Sequence, residues 1–303
     1  MRDNLRQMMT ASQASLPSLP CYLNGEFTTL PNAQVSVMDR GFLLGDGVYE
    51  VVPAYQSRLF RFAEHMARLE RSLAEVRIAN PHQQGEWKAI AMRLLKEHAA
   101  TYGVGPQSIY LQLTRGVAMR DHTMLEGLTP TVFMMVTAAR LPSPAQREQG
   151  VACITADDFR WRMAHIKSTS LLGAVMARQI SADADASETI MFRDGSLSEG
   201  ASSNVWVIKD GAVAGVTRDN LVLEGVRYGL MGELCAEIGI PFALRRIGRD
   251  EVARADELML SSAGKEFLAV TQLDGVAVGN GRPGPIYQKL YQGYQRAIAK
   301  TPA

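Results

Sequence analysis

The sequence predicts an α+β protein of two domains. At 303 residues the chain has room for one large or two medium domains. Segments with strand patterning and segments with helical periodicity are interspersed from Cys21 to the C-terminus. Between them, Arg140-Leu141-Pro142-Ser143-Pro144 has the composition of an interdomain linker. The expected layout is a flexible tail over 1–19, a small domain of mixed α and β over 20–139, a linker over 140–146 and a larger domain over 147–303.

Hydrophobic residues make up 47% and charged residues 21%, ordinary values for a soluble globular protein. A formal net charge of +1 argues against a nucleic-acid or polyanion partner. Cys21, Cys153 and Cys235 are few, odd in number and far apart. They read as reduced thiols of a cytoplasmic protein, and no metal-ligand spacing appears. Residues 1–19 are polar, without the apolar core of a signal peptide. No apolar run approaches the ~20 residues of a membrane span.

Taken in order, residues 21–27 read as strand, Asn-Gly turn, strand. Residues 34–38 alternate and are expected as another strand. Gly41, Gly45 and Gly47 follow. Such a run marks a bulged hairpin or backbone passing close to something. Residues 64–78 form an amphipathic helix with Met66, Leu69, Leu73 and Val76 as its buried stripe. Arg68 lies off that stripe, the position of a solvated side chain. Residues 86–102 form a second helix closed by Gly103. Strands are expected over 108–114 and 131–138, with Arg115 to His122 in the loop between them. In the second domain a strand over 151–159 precedes a helix over 169–182. Strands over 188–192 and 204–208 bracket Glu199. A helix follows Gly225, a strand covers 257–261 and a last helix covers 287–299.

Lys167 stands at the junction of the strand over 151–159 and the helix after it. Such a junction holds a lysine tip in a cleft. An amine kept from water, or near other cations, loses proton affinity and becomes a nucleophile. Glu199 lies in Ser198-Glu199-Gly200-Ala201-Ser202-Ser203-Asn204, where small residues let backbone approach a flat ligand. A lysine for a Schiff base and an acid for a pyridinium nitrogen are a protein's two main contributions to pyridoxal phosphate chemistry.

At these residues the chain resembles the fold-type IV pyridoxal-phosphate enzymes. These are the D-amino acid, branched-chain and (R)-amine aminotransferases and aminodeoxychorismate lyase. The resemblance runs from Tyr22 to Val278. It rests on Gly45-Asp46-Gly47-Val48-Tyr49-Glu50, Glu64-His65-Met66-Ala67-Arg68-Leu69, Ile166-Lys167-Ser168 and Glu199-Gly200-Ala201-Ser202-Ser203-Asn204, in that order. It implies a small α/β domain, a larger domain with a β-barrel-like core, and pyridoxal 5′-phosphate in the cleft between them. Lys167 would be the catalytic residue and would carry the cofactor, with Glu199 at the pyridine nitrogen. Arg68 would grip the phosphate, for which a planar guanidinium fork is suited. Tyr49 would face cofactor and substrate. Phe159-Arg160-Trp161-Arg162 is similar to the D-amino acid group and puts Arg160 on the cofactor side, near the pyridine hydroxyl and Tyr49. Leu223 would pack on the ring.

Two segments depart from the family. Gly225-Val226-Arg227 stands where Gly-(Ile/Val)-Thr is usual. The Val226 and Arg227 N–H groups at a helix start suit phosphate, but the threonine hydroxyl is missing. Ser262-Ala263-Gly264 stands where the D-amino acid relatives often carry Ser-Ser-Thr-Thr. The Ser262 side chain and the Ala263 N–H remain as phosphate ligands. Weaker cofactor binding is therefore expected.

Position alone makes Arg120 and His122 ordinary loop residues. Arg120-Asp121-His122 is, however, similar to the Arg-x-His of D-amino acid aminotransferases. There the pair binds the substrate α-carboxylate in the other subunit of a homodimer. The activity implied is transamination between a D-amino acid, of the D-alanine or D-glutamate type, and a 2-oxo acid such as 2-oxoglutarate or pyruvate. Branched-chain L-amino acid aminotransferase and aminodeoxychorismate lyase are the alternatives on this fold, and Arg-x-His argues against the first. Joint retention of Lys167, Glu199, Arg68 and Tyr49 argues against a catalytically silent binding protein.

Overall fold

A computed structural model describes residues 16–302, so the expected tail lies outside it apart from 16–19. The described residues form two compact units, one ending at Ala139 and one running from Arg140 to Pro302.

The first unit contains strands β1 (Pro20–Leu23) and β2 (Glu26–Thr29), helix α1 (Arg40–Leu44), β3 (Gly47–Tyr55), β4 (Arg58–Leu59), α2 (Phe62–Glu75), α3 (Gln84–Tyr102), β5 (Gln107–Thr114) and β6 (Thr131–Ala138). The β1–β2 turn holds Asn24 and Gly25 at φ 49° and 100°. This left-handed backbone suits a tight hairpin and is tolerated by that residue pair. The strands make one antiparallel sheet in the order β2-β1-β6-β5-β3-β4. Helix α2 packs on β3, and α3 on β1 and β6. Residues alternate across the sheet with period two. Ile109, Leu111 and Leu113 are buried, while Ser108, Tyr110 and Gln112 are half-buried. Tyr49 pairs with Gln112 across β3 and β5 and shares the less covered face. Glu50 points the other way and is buried.

Residues 34–38 form no strand. Val35 and Val37 are 53% and 68% exposed, so the alternation there has no sheet face to bury against. The chain bends instead, Asp39 N–H donating to the Ser36 carbonyl at 2.9 Å. It then enters α1, where the Asp39 side chain accepts from Gly41 N–H as the N-cap.

The second unit opens with α4 (Pro144–Gln149), started by a capping box of Ser143 and Gln146. Residues 144–146 of the expected linker are thus helical. There follow β7 (Val151–Asp157), α5 (Leu172–Asp183), β8 (Glu188–Arg193), β9 (Ser196–Gly200), β10 (Asn204–Lys209), β11 (Ala212–Gly215), α6 (Arg227–Glu237), β12 (Phe242–Leu244), α7 (Arg249–Ala253), β13 (Glu257–Ser262), β14 (Glu266–Leu273), β15 (Val276–Ala277) and α8 (Pro285–Ala299). The sheet order is β12-β11-β10-β13-β14-β7-β8-β9, with β15 also on β14. Strand β9, last in that order, leads through residues 201–203 into β10, third from the opposite end. The sheet therefore curls into a half-barrel. Its core gathers Ile190, Phe192, Val205, Val207, Leu258 and Leu268. The three cysteines are buried and unbonded. No helix among the described residues is long and apolar enough to cross a membrane.

Candidate active site

Glu199 is placed within β9 itself, and it is 5% exposed. Its Oε1 accepts from Arg160 Nη1 at 2.9 Å. Its Oε2 accepts from Leu223 N–H at 3.1 Å and Asn204 Nδ2 at 3.3 Å. Burial raises its pKa to about 7 against the opposing pull of Arg160. Asn204 Nδ2 also donates to the Leu223 carbonyl at 2.9 Å. A Cβ on Gly225 would lie 2.1 Å from Asn204 Oδ1. Only glycine lets the segment around Leu223 close over Asn204 and Glu199 in this way.

Arg160 is itself fixed. Its Nε and Nη2 donate to Asp158 Oδ1 and Oδ2 at 2.9 and 3.0 Å, a two-point grip that sets the guanidinium plane. Arg193 Nη2 adds a contact to Asp158 at 3.1 Å and donates to the Arg160 carbonyl at 3.0 Å. Burial opposes ionisation of Asp158, but the Arg160 hydrogen bonds and charge hold its carboxyl below the usual range.

Lys167 lies half-buried on the loop between β7 and α5. This loop is longer than expected, since the strand stops at Asp157 and the helix starts at Leu172. Ala164 N–H donates to the Asn220 carbonyl at 2.9 Å, and Asn220 Nδ2 returns a bond to the Arg162 carbonyl at 2.6 Å. Ser168, beside the lysine, is buried and its Oγ accepts from Ser170 N–H at 3.0 Å. The segment that docks the lysine loop at Asn220 thus also reaches Glu199 at Leu223.

Helix α6 starts just after Val226 without a side-chain cap, the kind of helix start that suits an anion, and its Tyr228 N–H turns back to the Gly225 carbonyl at 2.9 Å. The Arg227 side chain is 2% exposed, and its Nη2 donates to Tyr294 Oη on α8 at 3.1 Å. It supports the C-terminal helix, where the family's threonine would offer a hydroxyl to phosphate. Ser262 ends β13, and its Oγ accepts from Lys265 N–H at 3.0 Å. Ala263 follows, half-buried.

In the first unit Arg68 is not solvated. It is 7% exposed, and its Nε and Nη2 donate to Glu50 Oε1 and Oε2 at 2.7 Å each. His65 Nδ1 meets the same carboxylate at 2.8 Å. Burial alone would raise the Glu50 pKa, but the Arg68 charge and these hydrogen bonds hold it well below the usual carboxylate range. The Tyr49 ring lies 5.8 Å from that of Tyr110. Arg120 and His122 are exposed on the loop between β5 and β6.

Sequence reasoning assigned nothing to Asp158, Glu50 or Asn204. Asp158 adjoins Phe159-Arg160, and the other two end motifs already singled out. An acid or amide next to a site arginine or carboxylate is the signal that points to them.

A family model described as Amino-transferase class IV matches residues 47–273. The chain is 37% identical over 280 residues to a D-alanine aminotransferase from Bacillus licheniformis, covering 92% of this chain and 97% of the relative. It is 36% identical over 277 residues to a D-alanine aminotransferase from Staphylococcus epidermidis, covering 91% and 97%. Among solved structures, the branched-chain amino acid aminotransferase of Escherichia coli superposes with a TM-score of 0.83. That match covers 91% of this chain and 93% of the other at 23% identity, and it shows the fold-type IV architecture. The chain belongs to the class IV aminotransferase family.

Proposed function

We propose that this aminotransferase exchanges an amino group between a D-amino acid, of the D-alanine or D-glutamate type, and a 2-oxo acid such as 2-oxoglutarate or pyruvate. The observation that carries this reading is identity of 37% to a D-alanine aminotransferase over nearly the whole chain. Arg120-Asp121-His122 on an exposed loop supports it. The residues fit pyridoxal 5′-phosphate as cofactor. They include a buried carboxylate gathering three donors, a lysine on a docked loop and a helix start without a side-chain cap.

Bound, the cofactor supplies an electron sink for the bond broken at the substrate Cα. Glu199 would face the pyridine nitrogen, where its carboxylate would favour the protonated ring. Arg160, Asn204 and the Leu223 N–H fix the direction of that carboxylate. Lys167 would hold the cofactor through its Nζ, and the same amine is the chain's base for the proton on the substrate Cα. The Val226, Arg227 and Ala263 N–H groups and Ser262 would hold the phosphate, Leu223 would cover the ring, and Arg68, whose Nε and Nη2 are engaged by Glu50, would reach the phosphate only through Nη1. Arg120 and His122 donate to the α-carboxylate, and Tyr49 faces the substrate. We assign the working form to a cytoplasmic homodimer, in which the Arg120–His122 loop completes the other subunit's site.

The purified holoenzyme is mixed with D-alanine and, separately, L-leucine, and the visible band of the lysine-bound cofactor is followed. The expected result is discharge by D-alanine alone. Discharge by L-leucine moves the assignment to the branched-chain group and removes the role of Arg120 and His122. Inertness to both, with pyruvate formed from aminodeoxychorismate, makes the protein a lyase.

A further inference from the structure

We propose that Arg40 is a positioning residue for the substrate carboxylate, because its guanidinium ties the loop carrying Arg120 and His122 to the body of the first unit. The proposal rests on the carboxylate role given above to those two residues. Arg40 is charged yet only 2% exposed, at the first turn of α1. Its Nε donates to Asp46 Oδ2 at 2.8 Å. Its Nη1 donates to the Asp121 carbonyl at 2.7 Å, and its Nη2 to the Thr123 carbonyl at 3.0 Å. One buried side chain thus meets three acceptors, two of them on backbone 81 and 83 positions away in sequence.

Those carbonyls alternate with the functional positions. The Asp121 carbonyl belongs to the peptide plane entering His122. The plane leaving His122 is held through Asp121 Oδ1, which accepts from Thr123 N–H at 2.8 Å and from Thr123 Oγ1 at 2.6 Å. Peptide units are planar, so fixing both units fixes the direction of the His122 Cα–Cβ bond. Residues 120–123 are all exposed. Their geometry comes from a cation inside the fold.

The anchor is itself braced. Asp46 also accepts from Arg115 Nε at 2.8 Å and Nη2 at 3.0 Å. Arg115 donates in turn to the carbonyls of Arg77 at 3.1 Å and Val76 at 2.6 Å, at the end of α2. Arg40 N–H donates to the Gly116 carbonyl at 2.9 Å. Both the root of the loop and its functional stretch are therefore fastened to α1 and Asp46. The five donors of a planar fork can serve three acceptors lying in different directions, which the single nitrogen of a lysine cannot.

The test uses three holoenzymes, Arg40→Met, Arg40→Lys and an Arg120→Ala/His122→Ala double variant, beside wild type. Three quantities are read. They are amide hydrogen exchange over residues 117–125, KM and kcat for D-alanine, and the rate at which hydroxylamine, which has no carboxylate, discharges the visible band. In both Arg40 variants, exchange over 117–125 rises while β3 and β5 stay as in wild type. KM for D-alanine rises by roughly ten- to a hundredfold, the scale of a misplaced contact group. The kcat changes less, and the hydroxylamine rate does not change. If exchange and KM stay at wild-type values in both Arg40 variants while the double variant raises KM, the positioning role is overturned and the carboxylate role stands. If the double variant leaves KM unchanged, the carboxylate role falls and the proposal with it. Should Arg40→Met not fold, Arg40→Lys, which keeps a cation beside Asp46, gives the same readings. Exchange rising across β3 and β5 as well, or failure of both variants to fold, makes Arg40 structural and overturns the proposal.

Discussion

Glu199 shows how much a single buried carboxylate decides. Its pKa is raised to about 7 by burial, so in the cofactor-free protein the folded state binds more protons than the unfolded state between about pH 4.5 and 7. The penalty for ionising it is absent below that range, grows as pH rises, and is complete above about pH 7. Cofactor-free Glu199→Gln does not pay it. The urea midpoint of the variant should gain on wild type between pH 4.5 and 7, by on the order of 3 kcal/mol at most. A difference that does not vary with pH would remove the assignment. At Lys167 the expected outcome is simpler. Lys167→Ala abolishes transamination and the visible band, and turnover near the wild-type level would take its role away. Both residues are proposed from the sequence because a lysine and an acid stand in short motifs. The donors that aim Glu199 were not, since Arg160, Asn204 and Leu223 meet it only in the folded chain.

At the scale of the element, the pairing of α2 with β3 turns on one carboxylate. Glu50 projects from the buried face of β3 and takes both forks of Arg68, with His65 beside it. Glu50→Ala leaves a buried guanidinium without that partner and should cost about 3–5 kcal/mol in urea unfolding. A change under ~1 kcal/mol would mean that water replaces the pair. The Arg68 side chain was misplaced on periodicity alone, because helical spacing counts apolar positions and does not register an acid on a neighbouring strand. The same limit explains residues 34–38, whose alternation resembles a strand but finds no sheet edge. At the proposed phosphate end, the Arg227 side chain donates to Tyr294 on α8 and Ala263 has no hydroxyl. Spectral titration should give a cofactor dissociation constant above the low nanomolar range, and Ala263→Thr should lower it. Low-nanomolar binding by the wild-type protein would show that the backbone N–H groups suffice.

For the whole molecule, the proposed homodimer makes a distinct prediction. The Lys167→Ala chain, inactive alone, and the Arg120→Ala chain, impaired toward D-alanine through a raised KM, should regain activity at low D-alanine when unfolded and refolded together. One mixed dimer then carries an intact lysine opposite an intact loop. No recovery, with mixed dimers demonstrated by mass, would place the loop in its own subunit's site.

Pattern and chemistry in the sequence by themselves determined the mixed α and β composition, the order of most elements and the family, and they single out the lysine and the acid proposed for the site. These depend on local periodicity and on residues close together along the chain. Only the tertiary structure decided that Arg160 meets Glu199, that Arg68 turns inward to Glu50, that Arg227 serves the C-terminal helix, and that Arg40 reaches the loop around His122. Each of these is a hydrogen bond or ion pair between residues fifteen or more positions apart. The energy of such a contact depends on burial and direction, and neither exists until the sheets have formed.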